Sequence, residues 1–322
     1  MPRSRLVATS ARMAIRLTAV NPFKSPASLG IGCAIAGYFL FSAGDAMSKH
    51  MRQFDYPAVQ ISFQYSTTAV LVLCLFSGWL GGLKQTLRTR RRGLHLLRGF
   101  LAAPTQALNF YAFSKMPMAN VYAVIFLAPF LTAALASVFL KEKVSSTRWL
   151  LIAAGFFGVI IAMRPNVYGF SLPVLAVLVT AVFNSLRNVT VPMLGPKETP
   201  LSLALFPATA VALATCGPAL ITGKLPTLAH LGMLSAGGLM YASGLLLTCL
   251  AFRFAPAALA SPFHYTQIFW AVLAGMMLFG DWPDFWTLGG ALIIILCGIA
   301  LTVTHAKQTQ ANLAAAGGSA EQ

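Results

Sequence analysis

The sequence predicts an all-α membrane protein, with ten transmembrane helices arranged as two inverted five-helix repeats. Three observations carry this. The 322-residue chain is 57% hydrophobic and only 9% charged, with a mean hydropathy of +0.74. Its apolar runs approach or exceed the roughly 20 residues that a helix needs to cross a bilayer. The two halves also match without a gap when Ala112–Ala162 is slid onto Ala251–Leu301. Phe113 then falls on Phe252, Pro117 on Pro256, Phe130 on Phe269 and Glu142 on Asp281. Identity in this match is low. The shared pattern of apolar helix, Pro-containing loop, apolar helix, acidic loop and apolar helix is the stronger signal.

The runs fall at 30–49, 57–80, 94–113, 118–140, 147–164, 170–190, 201–222, 229–250, 255–279 and 285–304. Gly and Pro recur inside them, as membrane helices tolerate. Strands of a membrane barrel alternate apolar and polar residues, and these runs do not. Five helices per half is an odd number, so the second half enters the membrane with opposite polarity. That is the inverted geometry of secondary transporters, which hold substrate between the repeats near the midplane. The expected organisation is a basic arm at 1–29, a first repeat at 30–165, a second at 166–304 and a disordered tail at 305–322.

Net charge +16 would point to nucleic acid in a soluble protein. Its placement argues otherwise. With the N-terminus in the cytoplasm, 18 of the 23 Lys and Arg fall on the cytoplasmic side, among them Arg88, Arg90, Arg91 and Arg92. Only Lys49, Arg52, Lys115, Arg164 and Lys224 fall on the other. This is the positive-inside bias. It puts both termini in the cytoplasm and makes the arginine run a topological anchor at anionic headgroups. The expected setting is a bacterial inner membrane. The expected partners are the lipid bilayer and a small-molecule substrate, with no nucleic acid and with a homodimer left open. Residues 1–25 hold Arg3, Arg5, Arg12, Arg16 and Lys24 without an acid. A mitochondrial presequence shares that composition, but a cytoplasmic arm is the reading adopted, with no cleavable signal peptide expected.

Catalysis and cofactors are not expected. Gly217–Lys224 imitates a phosphate loop, but its spacing is one residue too long and Leu225 stands where Ser or Thr must meet magnesium. No metal-ligand cluster and no nucleophile–histidine–acid grouping is present. Cys33, Cys74, Cys216, Cys249 and Cys297 all lie within spans and read as small buried apolar residues.

The informative residues are polar ones inside spans, where an ionisable group costs about 2.5–3.5 kcal/mol. Asp45 and Lys49 lie four apart on the first helix. Asp45 is either a substrate or proton site, or the partner of a snorkelling Lys49. Gln60 and Gln64 on the second helix, and Gln106 and Asn109 on the third, are cavity candidates or interhelical hydrogen-bond formers. On the sixth helix Asn184, Arg187 and Asn188 share a side. Arg187 would meet a substrate carboxylate, pair with Asp45, or anchor at the interface. On the ninth, His264 lies well inside the span beside Tyr265 and Gln267, as a proton relay or a packing residue. Tyr122 and Phe126 on the fourth helix mirror Ser261 and Tyr265, and an aromatic-walled cavity would suit a flat or cationic substrate. Glu142 and Asp281 read as loop residues that cap helices or pair with neighbouring bases.

The stretch Arg98-Gly99 through Asn109-Phe110-Tyr111-Ala112-Phe113-Ser114-Lys115-Met116-Pro117 resembles the third-helix motif of the EamA-type drug/metabolite transporter superfamily. So does Leu140-Lys141-Glu142-Lys143 with Trp149, Gly155, Gly158 and Arg164-Pro165, and the second copy from Ala251-Phe252-Arg253 through Phe279-Gly280-Asp281. The resemblance covers about residues 30–304. Ser42-Ala-Gly-Asp45-Ala-Met-Ser-Lys49 and Pro262-Phe-His-Tyr265 look most like its S-adenosylmethionine uptake branch. Riboflavin importers, amino-acid exporters and opine-metallophore exporters belong to the same superfamily. The resemblance implies ten helices, two repeats and a central cavity. Gly237 stands where the second repeat would need a counterpart of Arg98, which argues against a symmetric role for that arginine. The expected function is secondary transport of a small organic metabolite by alternating access. The rival is a non-transporting membrane scaffold or a membrane-embedded enzyme.

Overall fold

The computed structural model describes residues 26–139, 145–163, 171–195, 198–255 and 260–318. Residues 1–25 of the basic arm, Glu142, Arg164, Pro165 and Pro256 lie outside the described residues. Eleven helices frame the fold: α1 (Pro26–Arg52), α2 (Ala58–Leu75), α3 (Arg92–Phe113), α4 (Met118–Ile125), α5 (Leu127–Phe139), α6 (Ser146–Met163), α7 (Leu172–Leu194), α8 (Pro200–Thr222), α9 (Leu228–Phe254), α10 (Thr266–Ala274) and α11 (Phe285–Gly318). No strand occurs among the described residues. Eight of the predicted spans are helices long and apolar enough to cross a membrane, α4 and α5 together forming one.

The other two predicted spans are less regular. The third is α3, whose first turns carry Arg92, His95 and Arg98. The ninth was expected as one apolar helix. It is instead a 3₁₀ turn at Ser261–Tyr265, then α10, then a π turn at Gly275–Phe279. Pro262 lies at the start of that 3₁₀ turn, where it supplies no N–H to an α-helical ladder. The fourth span is also broken, at Phe126 between α4 and α5. Pro129 explains the break, because it cannot donate to the carbonyl of Ile125 and its ring crowds that oxygen. A further correction concerns the tail. α11 runs on to Gly318, past the boundary at 304. The alanines at 306, 311 and 314–316 are strong helix formers and extend the apolar helix beneath them.

Helix contacts pair up when the first five spans are exchanged with the last five. α1 packs on α9, and its counterpart α7 packs on α3. α2 packs on α8, and α6 on α11, each span meeting its own counterpart. The α2–α9 contact is matched by α8–α3, and α1–α10 by α7 with α4 and α5. The α6–α11 seam depends on glycine. A Cβ on Gly290 would stand 2.5 Å from the carbonyl oxygen of Gly158, so the two backbones touch directly.

The molecule is apolar outside, and polar side chains are buried within its apolar core. Leu71, Phe100, Leu150, Leu213 and Leu220 point outward, whereas Ser42, Ser66, Gln106, Thr180, Ser185 and Gln267 are buried. Lipid accepts the first set, and interhelical hydrogen bonds satisfy much of the second.

The two ends are distinct. One, the arginine-rich face, carries the Arg88–Arg92 segment. There Glu198, between α7 and α8, accepts from Thr89 at 2.5 Å and meets His95 at 3.2 Å. Glu198 lies between the candidate spans Leu172–Leu194 and Pro200–Thr222, and its carboxyl is held below the usual carboxylate range. Burial acts in the opposite direction, but hydrogen bonds from Thr89, Ser202 and His95 outweigh it. The other face is pinned by Tyr56 to His230 Nδ1 (2.9 Å), by Gln60 to the backbone of Lys224 (2.7 and 3.0 Å), and by Lys49 to Asp281. α1 therefore ends at one face and its counterpart α7 at the other. That is opposite polarity.

Candidate functional site

Polar side chains from both halves converge on a central cavity. One chamber, of about 280 Å³, is lined by Asp45, Gln106, Asn109, Arg98, Asn184, Arg187 and Asn188, with aromatic walls from Phe41, Phe110 and Tyr241. A second, of about 630 Å³, is lined by Tyr38, Arg148, Pro192, His264 and Thr302. The two share Phe41, Asn184, Arg187, Asn188, Tyr241, Leu245 and Gln267, so they adjoin within one central cavity region. Its size lies in the range of small-molecule sites. Ala136, Arg148 and Pro192 belong to the end turns of α5, α6 and α7 at the arginine-rich face. The cavity thus runs from the middle of the bundle toward that face.

The electrostatics begin with Asp45, the one acid among the lining residues. It does not pair with Lys49, which was the alternative reading of the sequence. The hydroxyl of buried Tyr122 donates to the Asp45 carboxylate instead. Lys49 pairs with Asp281, donates to the carbonyl of Met116 at 3.3 Å, and lies 4.7 Å from the centroid of the Phe279 ring. The break at Phe126 leaves α4 as a separate short helix, with Tyr122 in its last turn facing α1.

Arg187 does not pair with Asp45 either. It donates to Asn184 Oδ1 at 2.7 Å, one turn back on α7. Its backbone carbonyl accepts from Arg98 at 2.8 Å, and Arg98 also donates to Thr190 Oγ1 and to the carbonyl of Leu203, both at 3.2 Å. Arg98 thus ties α3 to α7 and α8, and it fixes the turn that presents Arg187. The cavity holds both signs of charge in place, each supported by a neutral neighbour and neither neutralised by the other. An aromatic group flanks them. Tyr38 stacks on His264 with centroids 4.9 Å apart, and Phe126 meets the same imidazole edge-on at 4.9 Å.

Asp45, Gln106, Asn109, Asn184, Arg187 and His264 are therefore brought together. Tyr122 reaches the cavity only through Asp45. Three predicted site residues lie elsewhere. Gln60 is spent on the Lys224 backbone at the closed face. Gln64 lies on α2 and is absent from the lining. It is half-buried, and its backbone carbonyl accepts from Thr68 one turn on at 2.9 Å. Tyr265 is buried against Phe126, with its hydroxyl in the space where a Cβ on Gly298 would stand 1.8 Å away. The cysteines are half-buried rather than buried, and all five are free.

Sequence reasoning missed Tyr241 and Arg148 as lining residues, and it named Gln267 only as a neighbour of His264. A polar aromatic amid the eighth apolar run was the available signal for Tyr241. Arg148 reads as a loop-proximal anchor in sequence and was indistinguishable from its basic neighbours.

Residues 28–164 match the model of the EamA-like transporter family. An S-adenosylmethionine uptake transporter of Rickettsia bellii (strain RML369-C) is 28% identical over 270 residues, covering 83% of this chain and 91% of that protein. A riboflavin transporter of Rhizobium johnstonii is 30% identical over 210 residues, covering 65% of this chain and 70% of that protein. A solved crystal structure superposes with a TM-score of 0.61 at 16% identity, covering 88% of this chain and 99% of the other, which is a likeness of fold alone.

Proposed function

Because this chain belongs to the EamA-like transporter family, we propose that its cargo is a zwitterion built like S-adenosylmethionine, carried across a bacterial inner membrane by alternating access. The protein is a membrane transporter of a small organic metabolite. The observation that carries the substrate reading is the placement of Asp45 and Arg187. They line one intramembrane cavity without pairing to each other. An intramembrane charge is costly and calls for a partner. A cargo with a carboxylate for Arg187 and a cationic end for Asp45 would satisfy both. The rings of Tyr38, Phe41 and Tyr241 line the same cavity, and an aromatic lining suits a cationic or flat group. Riboflavin has neither a carboxylate nor a fixed cation, and would leave both charges unanswered.

The positive-inside bias makes the arginine-rich face cytoplasmic, and the cavity then opens inward. Alternating access requires that the Lys49–Asp281 side open in turn. One chain lines the whole cavity, so a homodimer is not needed to build it. Asp45 and His264 are the two titratable groups placed to take up a coupling proton. The chemistry is binding and release rather than bond making.

Reconstitution into proteoliposomes tests this. Saturable uptake of radiolabelled S-adenosylmethionine is expected, exceeding that of riboflavin or a neutral amino acid. Riboflavin uptake without S-adenosylmethionine uptake would overturn the substrate reading. The same assay between about pH 5 and 8 checks the proton role. The pH profile should flatten in His264→Gln, and an unchanged profile would leave His264 a packing residue.

A further inference from the structure

The α3 wall of the cavity holds polar groups that the charge pair does not use. Gln106 is 8% exposed, and its side chain lines the cavity. Its Oε1 accepts from Ser66 of α2 at 2.9 Å. Its Nε2 is buried without a hydrogen-bond partner. A buried amide donor left unmet is destabilising, so a native fold keeps one where something else completes it. Asn109 lies three residues on, which puts it on the same face of the helix, and it lines the same chamber. The aromatic rings of Phe41 and Tyr241 line that chamber as well and meet edge to face at 5.6 Å.

A primary amide presents a donor and an acceptor side by side. The edge of an aminated nitrogen heterocycle presents the complementary acceptor and donor, and Gln and Asn read adenine in this way. Gln106 retains the free N–H group and a second lone pair on Oε1 for such a contact. Aromatic rings beside the amides suit the face of the same ring. Asp45 and Arg187 already answer the ammonium and carboxylate ends of a zwitterion, which leaves the amide pair for a ring edge.

We propose that Gln106 and Asn109 form a subsite for the edge of a planar nitrogen heterocycle in the cargo, walled by Phe41 and Tyr241. Asp45 and Arg187 hold the charged end. This deepens the transport reading above and rests on its assignment of the cavity. Gln106 is the specificity-determining residue. It separates a cargo carrying the ring from an amino acid that carries only the charged end.

The test uses the purified full chain in lipid nanodiscs, with adenosine as the ring-only probe and methionine as the charged-end probe. Gln106→Met keeps the size of the side chain and removes the hydrogen bonds. Asn109→Leu is measured beside it, and thermal unfolding of each variant reports on the fold. Adenosine Kd is expected to rise about ten-fold in Gln106→Met, as for loss of one well-made contact, with methionine Kd changed less than two-fold. Adenosine that fails to bind the wild type, or that weakens no more than methionine in both variants, would overturn the proposal. Failure of S-adenosylmethionine uptake with Gln106-dependent adenosine binding intact would sink the cargo assignment and leave the subsite standing. Uptake that persists with adenosine binding insensitive to both variants would do the reverse.

Discussion

Asp45→Asn is expected to cut the initial rate of transport by about 100-fold while the protein still inserts and folds. The expectation follows from what the substitution keeps and removes. Tyr122 donates to the Asp45 carboxylate. An asparagine oxygen accepts from the same hydroxyl, so the α1–α4 contact survives. The negative charge does not, and it is the only one among the residues lining the cavity. Truncating one member of a desolvated charge pair costs about 2–5 kcal/mol in binding, and about 3 kcal/mol corresponds to roughly 100-fold. Tyr122→Phe removes the donor and keeps the charge, so it should cost about ten-fold. Uptake rates in proteoliposomes, with size-exclusion profiles as the control for folding, measure both. The double variant Asp45→Asn/Lys49→Met separates the two readings of the sequence. Lys49 is engaged with Asp281 rather than Asp45, so removing it should not restore transport. A double variant with the wild-type rate would mean that Asp45 has no role in cargo binding.

The fold was more legible than the site, for a physical reason. The all-helical membrane fold follows from the length of the apolar runs against bilayer thickness, and opposite polarity from an odd number of spans per half; both draw on many residues at once. Local breaks rest on single residues. Pro129 splits the fourth span because of one missing N–H and one crowded carbonyl, whereas Pro104 remains inside α3. Sequence periodicity does not distinguish those outcomes. The same applies to the site. Gln60 and Gln106 are both glutamines in apolar runs, yet Gln60 lies in the first turn of α2 beside the loop at Lys224, and Gln106 lies amid α3. Depth within the span was the readable difference between them. The partners of Asp45 and Lys49 were not readable. Helical spacing put the two side chains on one face, and the third dimension gave each a nearer partner from a segment 77 and 232 residues away.

Breaking the Lys49–Asp281 pair is expected to open the face of the transporter remote from the arginine-rich segment. Lys49 belongs to α1 in the first half, and Asp281 to the turn before α11 in the second. Their side chains are 11% and 25% exposed, which makes this a partly desolvated contact and stronger than a surface ion pair. It joins the two halves at the face where the cavity is shut, and alternating access must release it. Asp281→Asn leaves the ammonium with the Met116 carbonyl and the Phe279 ring alone. The closed arrangement should then lose about 1.4 kcal/mol relative to the open one, a ten-fold shift in population. Ser42, one turn deeper than Ala46 on α1 and 1% exposed, reports on it. In a background with the five native cysteines replaced, a cysteine at 42 should react with an impermeant maleimide about ten-fold faster in Asp281→Asn than in the wild type. The exchange Lys49→Asp/Asp281→Lys should restore protection, because it rebuilds the pair with the ends reversed. Equal labelling in all three proteins would show that the pair merely decorates a face held shut by Tyr56–His230 and Gln60–Lys224.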